Sequence, residues 1–251
     1  MTRSKMVLFA LTVVILVSLA ATLVAQQAPQ GAPGARGTGG RGGGGQGAAP
    51  AARGGAAQGR VPLFFREEWK NESGQAEPAI GQAFVANPNL ELKLYGPTGK
   101  EILIAGSATN ETNPVHPWTG MCTTPCGLTL RDKTRYVDLT GLARIKWVTK
   151  MSGFHQVRPV VKLADGTLLV GDLADGSSVD WQEREFSLSG MRWIRLDPER
   201  AVTTGSYVAN PDLSKVDEVG FVDLMPGSGH GQGGWADVAK FEVYGRPVPR
   251  Q

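Results

Sequence analysis

The residues best equipped for chemistry gather in a few short stretches of this 251-residue chain. The decapeptide "PGSGHGQGGW", residues 226–235, sets His230 and Trp235 among five glycines, with Asp223 just upstream. The segment "NETNPVHPWTGMCTTPCG", residues 110–127, carries His116, Trp118, Cys122 and Cys126. In "GFHQVRPVV", His155 stands three positions before Arg158. In "WQEREF", Glu183 and Glu185 alternate, which on a strand places two carboxylates on one face about 6.6 Å apart, a spacing compatible with sugar hydrolysis.

Each group is read against a plainer role. Within the decapeptide, "GHGQGG" is formally G-x-G-x-x-G, but a dinucleotide fingerprint needs a strand before it and a helix after it, whose amino terminus binds the phosphates. The next residues, "WADVAKFEVYG", alternate as a strand does, and the lysine and hydroxyl residue of a P-loop are missing. The nucleotide readings are therefore rejected. The glycines instead permit a sharply bent loop, on which Asp223, His230 and Trp235 either face a ligand or, respectively for the two rings, stay solvated and cover the end of a core. Trp118, stiffened by neighbouring prolines, suits a sugar platform, since the apolar face of a sugar packs on an indole while polar neighbours such as His116 take hydroxyls. The alternative is a core plug. His155 and Arg158 either line a concave face or decorate an edge, and strand alternation explains Glu183 and Glu185 without catalysis. No G-x-S-x-G elbow, H-E-x-x-H helix or duplicated cysteine pair is present, so no catalytic residue and no cofactor are assigned.

The elements that must carry these residues are strands. "NLELKLY" sets Leu90, Leu92 and Leu94 against Glu91, Lys93 and Tyr95, and "ARIKWVTK" sets Ala143, Ile145 and Trp147 against Arg144, Lys146 and Val148. This period of two marks half-buried strands. "VRPVVKLADGTLLVGD" reads as two strands joined at Asp165-Gly166, a dipeptide that accepts the positive φ angles of a tight hairpin. Further strands are expected at "EREFSL", "RWIRL", "DEVGFVDL" and "VAKFEVYG", with the 110–127 segment outside any strand. About eight short strands separated by Asp, Gly, Ser, Asn and Pro predict an all-β fold, an antiparallel sandwich or barrel.

Two leading segments stand outside that fold. Arg3 and Lys5 precede an apolar run from Met6 to Ala25, so residues 1–25 are a signal peptide or a membrane anchor through 6–25. Residues 26–60 hold thirteen glycines, four arginines and no acid. Such a composition predicts a disordered tether spanning roughly 30 to 35 Å on average. The formal charge of +3 belongs to these segments, because from residue 61 onward 20 Lys plus Arg face 23 Asp plus Glu, a net −3. No nucleic-acid partner is indicated for residues 61–251, the β-sandwich domain. Export, to a periplasmic, extracellular or membrane-anchored position facing outside, makes a Cys122–Cys126 disulfide the expected use of the two cysteines. A metal site there would draw on His116 as a further ligand.

Residues 135–245 resemble the galactose-binding-like β-sandwich, in the version seen in carbohydrate-binding modules and the complex I intermediate-associated protein family. The resemblance lies in Asp138, Leu139, Thr140 and Gly141 leading into a central strand, Trp181 opening the strand after the hairpin, and Glu242 to Gly245 closing the domain. It implies a jelly roll, usually non-catalytic, often with a structural calcium ion, and with a ligand site on loops or on the concave face. Three functions are expected from these readings: binding of a glycan or cell-envelope ligand, a carbohydrate-active enzyme drawing on Glu183, Glu185, Asp223 and His230, or a structural interaction domain of the cell envelope.

Overall fold

The computed structural model describes residues 60–230 and 233–250, all within the second of the two units into which the chain divides, Gly54–Gln251. The signal, anchor and tether readings concern residues 1–59 and lie outside the described residues. Fifteen strands occur among those described: β1 (Leu63–Glu67), β2 (Leu90–Tyr95), β3 (Leu103–Ala105), β4 (His116–Trp118), β5 (Cys126–Asp132), β6 (Arg135–Asp138), β7 (Arg144–Ser152), β8 (Val157–Leu163), β9 (Leu168–Gly171), β10 (Gln182–Ser187), β11 (Trp193–Asp197), β12 (Val202–Val208), β13 (Val216–Asp223), β14 (Trp235–Tyr244) and β15 (Arg246–Pro249). One sheet runs β10-β7-β14-β4-β3 with β1 beside β14, and the other runs β12-β11-β9-β8-β13-β5-β2 with β6 and β15 attached near β13. All the pairings are antiparallel.

The expected strands are present. In β7, Ile145, Trp147, Thr149 and Met151 are buried while the residues between them are half-exposed, so the alternation in the sequence does set the inward face. The Asp165-Gly166 turn joins β8 to β9 with Gly166 at φ +90°. One expectation is corrected: His116–Trp118 is a strand, pairing with β3 and β14, and Cys126 opens β5. The prolines and the brevity of β4 hide it from any periodicity count.

The main core lies between the sheets and centres on Trp147, Trp193, Phe221 and Phe241. A second, smaller cluster lies on the other face of the nine-stranded sheet and joins Tyr95, Val160, Leu168, Val170, Leu196, Ala201 and Val222. In a flat sheet β2 and β11, with four strands between them, would stand roughly 24 Å apart. Yet Gly96 N–H donates to Pro198 O at 3.2 Å, joining the segments that directly succeed these two strands. The sheet therefore curls, helped by irregularities at Val216/Glu218 and Ile194/Leu196, and closes over its own outer face. Tyr95 is buried for this reason, although it shares its side of the strand with polar Glu91 and Lys93. Its hydroxyl donates to Glu218 Oε2 at 2.5 Å, and burial together with that carboxylate raises the phenol far above its ordinary value.

Gly220 lies in the middle of β13, where a Cβ would stand 2.0 Å from the carbonyl oxygen of Leu128 and 2.5 Å from Thr129 Cα. Both are backbone atoms of the neighbouring strand and have nowhere to go. Gly220→Ala is expected to cost about 3 kcal/mol or more, read as a lowered midpoint of urea unfolding; an unchanged midpoint would contradict this packing.

Candidate functional site

Five connections cross between the sheets at one end of the sandwich: residues 96–102 and, around the candidate residues, the four at 119–125, 153–156, 172–181 and 224–234. The glycine-rich segment is the last of them, and it leads directly into the strand β14. Its glycines serve close backbone approach. Gly227 N–H donates to Cys122 O at 2.6 Å and Gly229 N–H to Gly120 O at 2.7 Å, while a Cβ on Gly227 would stand 2.2 Å from Gly120 O. A Cβ on Gly234 would lie 2.3 Å from the His155 ring. The segment's two described parts are joined by Gly234 N–H donating to Ser228 Oγ. The neighbouring 119–125 crossing is closed by the Cys122–Cys126 disulfide.

Beneath it, Asp223 ends β13 with no exposed surface. Its Oδ2 accepts from Thr119 Oγ1 at 2.8 Å and faces His155 Nδ1 at 2.6 Å, and its Oδ1 accepts from Met225 N–H at 3.1 Å. Thr119 Oγ1 in turn accepts from Ala236 N–H at 3.0 Å. A carboxylate at this depth is tolerated because its oxygens are occupied by donors. Asp223 and His155, expected as ligand contacts, are thus brought together with each other and joined to three of the four crossings. Asp175 plays the same part in the remaining crossing. It accepts from Thr149 Oγ1, Trp147 Nε1 and Arg184 Nε, and its backbone pairs with Val157.

Four rings then run along the outer face of the six-stranded sheet. His116 and Trp118 are alternate residues of β4 and share a face. His230 packs on Trp118 with ring centres 4.8 Å apart, and Trp181 meets His116 edge-on at 5.1 Å. The inner pair is buried, with side-chain exposure of 3 % for His116 and residue exposure of 7 % for Trp118. The outer pair is reachable: the His230 side chain is 67 % exposed and stands 3.3 Å from Glu77, while Trp181 is half-buried and its Nε1 donates to Thr112 O. Trp235 is half-buried on β14 opposite Ser152. Arg158 sits apart, opposite Val222 on the nine-stranded sheet, and does not join His155.

His116 donates from Nδ1 to Pro114 O at 2.6 Å and presents Nε2 to Asp237 Oδ1 at 3.3 Å, an ion-pair distance without hydrogen-bond geometry. Asp237 is paired opposite Trp118. Burial raises its carboxyl above the ordinary value of 3.8, against the opposing pull of His116 and Lys150. Beside the row lies a cleft of about 450 Å³ lined by Trp69, Pro114, Val115, Val148 and Lys240. Trp69 is held at φ +51°, where its N–H donates to the buried Glu67 carboxylate, which also accepts from Ala86 N–H and Asn87 N–H. Its buried Nε1 has no acceptor among the described residues.

Sequence reasoning missed Trp69, Glu67, Asp175 and Asp237; apart from the local contact of Trp69 with Glu67, their partners lie farther off in the chain. It also missed Phe154 and Val179, exposed by 86 % and 89 % on two of the crossings. Their signal was a large apolar residue inside "SGFHQ" and "GSSVDW", where turn composition predicts small polar ones. Glu183 and Glu185 stand opposite basic residues of β7, with Glu183 2.6 Å from Lys146 Nζ and Glu185 3.3 Å from Arg144 Nε. Among the described residues no group of three His, Cys, Asp or Glu side chains is placed to hold a metal ion.

No protein-family model matches the chain, and no curated protein does. Among solved structures, the chain is similar to the family 11 carbohydrate-binding module of the cellulosomal cellulase Lic26A-Cel5E of Clostridium thermocellum. The identity is 13 %, the match covers 74 % of this chain and 96 % of that one, and the TM-score is 0.39. An exo-β-agarase matches at 12 % identity over 65 % of this chain and 24 % of that one, with a TM-score of 0.38. The Emp47p carbohydrate recognition domain matches at 10 % identity over 69 % and 96 %, with a TM-score of 0.35. At these identities and TM-scores a functional reading rests on the residues themselves.

The raised carboxyl of Asp237 has a consequence for stability. A folded-state value above the unfolded one adds stability below about pH 4, and that contribution is lost as pH rises through the folded value. Asp237→Asn is therefore expected to gain on the parent protein between pH 4 and pH 7.5, measured as the difference in urea midpoints. Parallel pH profiles of the two proteins would show that this carboxyl is not shifted.

Proposed function

We propose that this is an exported β-sandwich protein that binds a glycan without chemistry, at the loop end and the adjoining outer face of the six-stranded sheet. The observation that carries the reading is the row His230, Trp118, His116 and Trp181, whose buried middle holds two accessible rings in place. Rings with a rigid backing lose little entropy on binding, and a sugar face packs on them while carboxylates such as Glu77 take hydroxyls. The cleft beside Val115 extends the same face, with Trp69 among its lining residues. The cysteine pair joined as a disulfide suits an oxidising compartment, as does the basic and apolar start of the sequence. In this reading residues 1–60 deliver and tether the domain, and no cofactor is required.

A non-catalytic role is favoured over hydrolysis because each carboxylate of the β10 pair has a basic partner, and Asp223 and His155 satisfy each other out of reach of solvent. Docking to another envelope component is supported by one specific feature, the exposed Phe154 and Val179 at the same end of the sandwich.

On a glycan array followed by calorimetry, saturable sugar binding by the full-length protein is expected to weaken tenfold or more in His230→Ala and in Trp181→Ala. Replacing Phe154 and Val179 by serine is expected to leave it unchanged. Sugar affinity lost only in the serine variant, or absent from the parent protein, would remove the aromatic row from the function.

A further inference from the structure

A second feature with the makings of a site lies away from the four crossings. The turn between β10 and β11 and the connection from β12 to β13 enclose a groove of about 530 Å³. Its floor is apolar, built from Leu139, Leu188 and Trp193, and its rim carries Arg192, Tyr207 and Asn210. Tyr207 is 52 % exposed, which is unusual for an aromatic ring on an otherwise polar edge strand.

Three observations bear on what would fit. The Arg192 guanidinium lies over one face of the Tyr207 ring, 4.4 Å from its centre, so the cation and the ring are held together at the mouth of the groove. Asp172 orients that arginine by accepting from its Nε at 2.7 Å and from its backbone N–H at 3.0 Å, and no described residue bonds its two terminal amino groups. Trp193 is 1 % exposed and lines the groove, and its buried Nε1 has no acceptor among the described residues. Arg192 is the one charged residue among those lining the groove, and it is positive in a folded region whose net charge is −3. A complementary occupant brings a flat or weakly polar ring for Tyr207 and an anionic group for the two terminal amino groups of the guanidinium.

We propose that this groove is a second ligand site, for an anionic sugar unit of the hexuronate class. The sugar ring lies against Tyr207 and its carboxylate is taken by the terminal amino groups of Arg192. The site shares no residue with the aromatic row, so it stands whether or not that row binds a glycan.

The test is calorimetry of the full-length protein with an oligogalacturonate and with the neutral galacto-oligosaccharide of the same length, joined to an NMR titration that tracks the indole N–H of Trp193. Saturable oligogalacturonate binding is expected, with a shift of the Trp193 indole signal. Arg192→Gln, at a side chain 67 % exposed and thus compatible with folding, is expected to weaken that binding at least tenfold, as is Tyr207→Ala. His230→Ala is expected to leave it intact. Equal affinity for the neutral oligosaccharide, insensitivity to Arg192→Gln, or a Trp193 signal that does not move would each overturn the assignment. Loss of affinity in His230→Ala alone would place the bound sugar on the aromatic row instead.

Discussion

The carboxylate of Asp223 has no contact with solvent, and the end of the sandwich is organised around keeping it satisfied. A charge removed from water is costly unless donors replace the lost hydration. Here the donors come from Thr119, His155 and Met225, each on a different crossing between the sheets. Moving any one of these segments exposes or orphans the acid, so the crossings behave as one unit. The glycines answer to the same constraint, because backbone must approach backbone as closely as Gly227 approaches Gly120 for the donors to reach.

That unit is also what gives the aromatic row a rigid end. His230 comes from the glycine-rich crossing and Trp118 from the short strand β4, and their stacking is possible because both segments are held against the Asp223 node. The buried His116 and Asp237 occupy the next positions on the outer face. Burying an imidazole and a carboxyl at such a face costs stability, as the raised carboxyl of Asp237 shows. Proteins tolerate such costs where a surface must keep a particular shape, and perturbed groups of this kind gather at functional sites.

The nine-stranded sheet meets a different demand. A sandwich buries one face of each sheet, but this sheet curls until the segment after β11 touches the segment after β2. Its outer face thereby acquires a core of its own, with Tyr95 and Glu218 as buried polar partners. Ligand access is left to the loop end, the outer face of the other sheet and the groove beside Tyr207.

Much of the strand content was legible from the sequence, because a residue's side of a strand depends on alternation alone and each segment of β7, β8, β13 and β14 carries its own pattern. Rejection of a phosphate loop after β13 was legible for the same reason, since the alternation in "WADVAKFEVYG" leaves no room for a helix after Gly234. The short β4 was not, for three residues, one of them proline, supply no period. Nor was the pairing of Asp223 with His155, 68 positions apart, or of His116 with Asp237, since which distant polar groups meet is decided by strand order and register. Residue types and their alternation settled that this chain forms pleated layers with aromatic and imidazole side chains at their ends. Only the folded arrangement decided which of those rings are walled in and which face solvent, because burial is a property of what packs across from a residue and not of the residue.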